Sequence, residues 1–306
     1  MSHPSDPAGH DPLIGQVLAG RYRFLARLGV GGMGVVYRAE QIGLERLVAV
    51  KVLRAHEVAG ERERERFLRE AKSVSRLSSP HTVTLHDFGA TDDGRLYMVM
   101  ELLAGRTLRQ RLEVEGPLGW EAAAAVLEPV AASLEEAHAL GVVHRDLKPD
   151  NIFLAQTHDG REVVKVLDFG LAVLGEQQDQ RLTGDGQVVG TPSYMPPERI
   201  DCQPEDARGD LYALGVILYE LLTGETPYHG ETAFKTMMAH LHDEALPLET
   251  ANPNVSVTPE GEALLWRCLS RDPAGRPASA AAFRQALDGS EAALGLMATA
   301  AHTTPA

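Results

Sequence analysis

The chain reads as an α+β protein with its strands first and its helices after them. Short β-branched runs separated by glycine and polar turns crowd ahead of Met100, and helical apolar patterns dominate over 120–140 and 210–224. Composition agrees with a folded chain. With 44% hydrophobic and 24% charged residues, 306 positions suffice for one large domain or two lobes, and whole-chain disorder is excluded.

Residues 1–11 are polar, with Pro, Gly and His, and 1–21 as a whole read as a flexible segment. They lack a basic stretch followed by an apolar core, so no signal peptide is expected. Residues 21–28 are strand-like and run into Gly29-Val30-Gly31-Gly32-Met33-Gly34, then Val35-Val36-Tyr37. Strand, glycine turn, strand predicts a hairpin whose backbone can approach phosphate oxygens and offer them N–H groups. The letters Gly-x-Gly-x-x-Gly also serve dinucleotide folds, but there the turn opens into a helix. Here a second strand signal follows at 47–51 and ends on Lys51.

A lone Lys at a strand end is usually just solvated, so Lys51 needs a partner. Phe67, Ala71, Val74 and Leu77 recur at helical spacing and predict a helix over 61–77 with one apolar stripe. Glu70 falls inside that stripe, where a carboxylate is costly unless a cation meets it. Lys51 is the candidate cation. The alternation of Glu and Arg over 61–66 reads as a solvated, self-paired helix start. Residues 95–100 form the next strand signal and end in Glu101-Leu102-Leu103-Ala104-Gly105.

The helix predicted over 120–140 ends at Gly141, a left-handed cap, and holds Pro129, which should kink it or remove a backbone hydrogen bond. It delivers His144-Arg145-Asp146-Leu147-Lys148-Pro149-Asp150-Asn151, where a carboxylate, a cation and a metal-ligating amide share one short loop. Phosphoryl transfer is mostly positioning and charge neutralisation, and needs those groups together. Residues 151–154 and 163–167 read as a strand pair around a polar turn at 156–161, followed by Asp168-Phe169-Gly170. Asp168 and Asn151 are hard-oxygen groups suited to a divalent metal. Residues 210–224 are apolar almost all round, which predicts a buried helix.

Cys202 and Cys268 are far apart and read as reduced thiols; the scattered His residues do not suggest a metal site. A net charge of −14 and a pI near 5.3 argue against nucleic acid as the partner. No apolar run is long enough to span a bilayer, and a cytoplasmic protein is expected.

The octapeptide, the glycine turn with Lys51, Asp168-Phe169-Gly170 and the run Gly190-Thr191-Pro192-Ser193-Tyr194-Met195-Pro196-Pro197-Glu198 together resemble the eukaryotic-like protein kinases. Gly-Gly-Met-Gly and Asp-Leu-Tyr-Ala-Leu-Gly resemble the bacterial serine/threonine branch. The resemblance implies the two-lobed protein kinase fold over 22–287. A small antiparallel-sheet lobe with one main helix would cover about 22–100, a larger mostly helical lobe about 104–287, and 288–306 would be a flexible tail.

It also implies ATP as phosphoryl donor, bound by Leu28, Gly29, Val30, Gly31, Gly32, Met33, Gly34, Val35, Val36, Ala49 and Lys51. A hinge at Met100, Glu101 and Leu103 would read the adenine, with Met100 limiting pocket depth and Phe153 completing the site. Mg2+, with Mn2+ as second candidate, would be held by Asn151 and Asp168. Asp146 would accept or orient the proton of the substrate hydroxyl, Lys148 would neutralise the migrating phosphoryl group, and Glu70 would hold Lys51. Lys148 in this context is the serine/threonine signature. Thr183 is the sole hydroxyl residue over 171–190 and the implied site of activating phosphorylation, with Arg145 as the cation it engages.

Glu198 and Arg276 are implied as a structural pair, and Asp210 as a tie to the catalytic loop. Pro196 departs from the family's usual Ala and puts substrate docking in doubt more than chemistry. The implied partners are protein substrates with Ser or Thr acceptors, and a homodimer through the small lobe. Two rival readings are a nucleotide-binding scaffold without catalysis and a small-molecule phosphotransferase of related fold. The presence of Lys51, Asp146, Asn151 and Asp168 disfavours the first, and Lys148 with Pro196-Pro197-Glu198 the second.

Overall fold

A computed structural model describes residues 11–31, 34–53, 60–91, 93–169 and 192–289. Gly32, Met33, Gly170 and Thr183 lie outside the described residues, as does the tail from 290 onwards. The chain divides into two compact units, 1–75 with 84–103, and 76–83 with 104–306.

The first unit is built on a six-stranded antiparallel sheet. Its strands are β1 (Val17–Leu18), β2 (Tyr22–Gly31), β3 (Gly34–Gln41), β4 (Arg46–Leu53), β5 (Leu85–Ala90) and β6 (Leu96–Glu101), in the order β1-β2-β3-β4-β6-β5. β2 and β3 pair as far as Gly31 and Gly34, as the hairpin reading requires. The core takes Phe24, Tyr37, Val48, Val50 and Val99 among others, and each such burial is worth on the order of 2 kcal/mol. α1 (Glu61–Val74) lies against β5 and buries Phe67, Ala71 and Val74 of the predicted stripe, but it ends before Leu77, which is half-buried outside the helix.

One expectation fails here. Residues 11–18 were expected to lie in a flexible leader, yet they join this unit. Val17–Leu18 pair with β2, Leu13 and Ile14 pack on the core, and Asp11 accepts a 3.0 Å hydrogen bond from the Tyr37 hydroxyl. A few apolar side chains in polar surroundings leave no trace in composition, but tertiary packing uses each of them.

The second unit carries a three-stranded antiparallel sheet, β7 (Gly105–Thr107), β8 (Ile152–Gln156) and β9 (Glu162–Val166), and most of the helices. Gly105, at φ 141°, lets β7 approach β8 so closely that a Cβ would stand 2.1 Å from the Leu154 carbonyl oxygen. α2 (Leu108–Glu115) starts on a capping box between Thr107 and Gln110. α3 (Trp120–Ala139) ends before Gly141, whose φ of 73° is the predicted left-handed cap. Pro129 has no N–H, so the Ala125 carbonyl lacks its usual helical donor, but α3 continues through it.

α4 (Arg208–Thr223) is buried from Gly209 to Thr223, as its all-round apolar pattern predicts, and packs on α3 and on α6 (Pro259–Cys268). Between α4 and α6 lies α5 (Ala233–His242), and residues 280–289 form the last helix among the described residues.

Candidate active site

The catalytic loop leaves α3 through Gly141 and is held from behind by one carboxylate. Asp210, in the first turn of α4, accepts from the backbone N–H of His144 and of Arg145, each at 2.9 Å, and from His138 Nε2 at 2.8 Å. Burial opposes ionisation of Asp210, but the hydrogen bonds from His138 and the loop outweigh it and hold its carboxyl below the usual range. The expected tie from Asp210 to the loop is therefore present. His144 is fully buried; its Nδ1 accepts from the Asp146 N–H at 3.2 Å, so Nε2 carries the proton and donates to the Leu167 carbonyl at 2.8 Å. Both ring nitrogens thus fix the loop.

Arg145 adopts φ 67°, a left-handed conformation that costs a non-glycine residue about 1 kcal/mol. Its N–H is fixed by Asp210 and its carbonyl accepts from the Arg199 guanidinium, so the strain is over-determined. With this backbone set, Lys148 Nζ reaches the two Asp146 carboxylate oxygens at 3.0 and 2.8 Å. Asn151, in the Pro149–Asn151 turn, donates its amide N–H to the Asp146 carbonyl at 2.7 Å and to Asp146 Oδ2 at 3.1 Å. The Asp146 carboxylate is 42% exposed, open to an incoming group while two neighbours fix its direction.

Asn151 O accepts from Leu167 N at 2.8 Å, which brings the end of β9, and so Asp168, beside the loop. Asp168 has φ 55°, and Phe169 is buried with its ring 4.8 Å from that of His144. The donor chemistry fits a hard divalent metal. The Asn151 amide nitrogen is committed to Asp146, so it is Asn151 Oδ1 that could serve, with the Asp168 carboxylate, as an oxygen ligand. Among the described residues no group of three or more His, Cys, Asp or Glu side chains could hold a metal. A hard divalent metal held by two protein oxygens would complete its shell with phosphate oxygens and water.

In the first unit, Lys51 sits on β4 with Val36 and Met98 as its cross-strand neighbours, and only 7% of it is exposed. Glu70 is half-buried on α1. Ala49 pairs with Met100, and both are buried. The Glu101 N–H donates to the Thr84 carbonyl at 3.0 Å, so at the expected hinge this backbone donor is already used. Leu28 and Val30 are exposed apolar side chains, Val35, Val36 and Leu103 are half-buried, and Phe153, in the second unit, is half-buried on β8.

The glycines of the turn divide in kind. At Gly34 a Cβ would lie 2.3 Å from the Val52 carbonyl oxygen, a packing demand, whereas at Gly29 it would meet nothing within 4 Å. The structural pair holds as expected, with Arg276 donating to both Glu198 oxygens at 2.7 Å. Sequence reasoning missed His138, which holds Asp210 from the end of α3, and Arg199, which reaches the loop from a distant segment. It also missed α2, although Thr107 and Gln110 have capping-box spacing.

The protein kinase domain model matches residues 22–287, and the chain belongs to that family. Within it the chain groups with bacterial serine/threonine kinases. It is 43% identical over 279 residues to the serine/threonine-protein kinase pkn3 of Myxococcus xanthus, covering 90% of this chain and 51% of that protein. With PrkC of Bacillus subtilis it shares 37% over 261 residues, 85% of this chain and 39% of the other. The chain thus spans about half or less of these relatives. The crystal structure of the Mycobacterium tuberculosis PknI kinase domain is similar at a TM-score of 0.70 and 28% identity, over 90% of this chain and 98% of that one. Membership implies use of ATP and a divalent metal. Among the described residues no helix is long and apolar enough to cross a membrane.

Proposed function

We propose that the chain transfers the γ-phosphoryl group of ATP to serine and threonine hydroxyls of other proteins, with Mg2+ as the metal. The carrying observation is the Asp146 carboxylate, fixed by Lys148 and Asn151 on a loop pinned by Asp210. Asp146 orients the acceptor hydroxyl and takes its proton. Lys148, whose ammonium already lies against Asp146, neutralises the transferring group as charge builds on it. Asn151 Oδ1 and Asp168 would hold the metal, which when bound would supply positive charge to neutralise the phosphates.

Lys51, held by Glu70, binds phosphate. The glycine turn from Leu28 through Val36 covers the nucleotide, and the lack of a packing demand at Gly29 supports a role in close backbone approach. Met100, Glu101, Leu103, Ala49 and Phe153 take the adenine. Phosphorylation of Thr183, paired with Arg145, raises activity. The acidic chain acts in the cytoplasm as a homodimer through the small unit.

The test incubates the protein with labelled ATP, Mg2+ and a generic protein acceptor, beside Asp146→Asn. Phosphoserine or phosphothreonine is expected from the parent, with a loss of about 10²–10⁴-fold in the variant. Equal incorporation by both would remove Asp146 from its role. For the regulatory site, mass spectrometry should find phosphate on Thr183 of active protein, and Thr183→Ala should lower the rate; an unmodified Thr183 with a fully active variant overturns it.

A further inference from the structure

Beside the catalytic loop lies an ion cluster that the proposed chemistry does not use. Arg109, on α2, donates through Nη1 to Glu220 Oε1 at 2.6 Å and through Nη2 to the Tyr194 hydroxyl. That hydroxyl donates in turn to Glu220 Oε2 at 2.6 Å, closing a ring of three side chains. Arg109 Nε also stands 3.6 Å from Oδ2 of Asp150, the residue just before Asn151. Exposure falls from 53% at Asp150 to 27% at Arg109 and 6% at Glu220. Burial opposes the charge on Arg109, but its bonds to Glu220 and Tyr194 outweigh that. Burial and the Glu220 charge keep the Tyr194 hydroxyl protonated, so it can donate.

A carboxylate as buried as Glu220 requires a cation. Asp150 lies on the same turn as Lys148 and Asn151, both of which touch Asp146. Through Arg109 that turn is tied to Glu220, so two carboxylates share one cation beside the loop that carries Asp146. Such a pair would bind the guanidinium or ammonium of a basic substrate residue through charge-assisted hydrogen bonds. In this chain the cation is internal.

We infer that Arg109 is a specificity-determining residue: its guanidinium occupies the Glu220–Asp150 carboxylates, so acceptor segments with Arg or Lys near the hydroxyl gain no advantage over neutral ones. The inference rests on the kinase reading above and deepens it. The expected substrates are Ser or Thr segments selected without a basic flanking residue.

The test measures kcat/KM for peptides sharing one Ser acceptor, with Arg or Ala at each flanking position in turn. The parent should give an Arg-to-Ala ratio near one throughout. Arg109→Gln, which removes the charge, should raise that ratio about tenfold at one or more positions, the scale of one hydrogen bond to a charged group. Adding Asp150→Asn, or millimolar guanidinium ion, should bring it back down. A parent that already prefers Arg tenfold overturns the inference, as does a variant that slows equally on all peptides.

Should thermal melts show Arg109→Gln unfolded, Asp150→Asn alone decides. A ratio still near one supports Arg109 as the occupant, and a fall from the parent's ratio overturns it. No transfer by the parent to any acceptor would overturn the kinase reading and this inference together, whereas transfer with a strong Arg preference overturns this inference alone.

Discussion

Two ion pairs of nearly equal length do opposite work in this molecule. Arg276 meets Glu198 at 2.7 Å with side chains 0% and 7% exposed, and Lys148 meets Asp146 at 2.8 Å with side chains 21% and 42% exposed. The first is bidentate and sealed. Arg276 also donates to the carbonyls of Ser270, Arg208 and Arg271, so its donors are fully engaged and it has no freedom to move. The second can be rehydrated, which leaves its carboxylate open to solvent, as the role proposed for Asp146 requires. Distance does not separate an architectural pair from a chemical one; water does, because removal of one partner strands a charge only where solvent cannot replace it.

The sharpest way to break this comparison is to neutralise one cation in each pair. Arg276→Met leaves Glu198 buried without a partner and should cost about 3–5 kcal/mol of stability, whereas Lys148→Met should cost under about 1 kcal/mol. Denaturant titration checks both. Equal losses would mean that exposure is not the deciding variable. Arg276→Met combined with Glu198→Leu should recover much of the loss, since no charge is then stranded.

Asp210 stands between the two cases, being buried like Glu198 yet dedicated to the loop. Asp210→Asn should lower stability by about 2 kcal/mol through the loss of charge-assisted bonds, and lower kcat by about 10- to 100-fold as the loop drifts. Its carboxyl is depressed in the folded state, so its contribution is present at neutral pH and is lost as pH falls through that lowered value. Acid titration of parent and variant should converge there.

A gain rather than a loss is expected at Glu205, where burial raises the carboxyl to about 7 against the pull of Arg199 at 4.0 Å. The folded state then binds a proton more readily than the unfolded chain, so stability falls as pH rises from about 4.5 to 7. Glu205→Gln should therefore stabilise the protein at pH 8 by roughly 1–2 kcal/mol, and the gain should shrink as pH is lowered towards 5. Thermal melts at the two pH values measure it; a gain independent of pH would assign it to packing instead.

Much of the fold was legible because backbone periodicity is local. The stripe of Phe67, Ala71 and Val74, the all-round apolar run of α4 and the β8–β9 hairpin needed only their own residues to be read. β7, with three residues, and β5, which mixes His86 and Asp87 with apolar neighbours, gave too little pattern to find. The strap over 11–18 escaped for the same reason.

The catalytic loop declared its chemistry in order, because Asp146, Lys148 and Asn151 are close enough along the chain to be recognised as a group. Their aim was not readable. It depends on Asp210 meeting His138 across 72 positions and on Arg199 reaching the Arg145 carbonyl across 54. Arg109 finds Glu220 across 111 positions. Sequence alone settled which residues could carry the reaction, since that follows from side-chain type and short spacing. Only tertiary structure decided which charges were dried and which stayed wet, because burial is set by segments that packing, not sequence proximity, brings together.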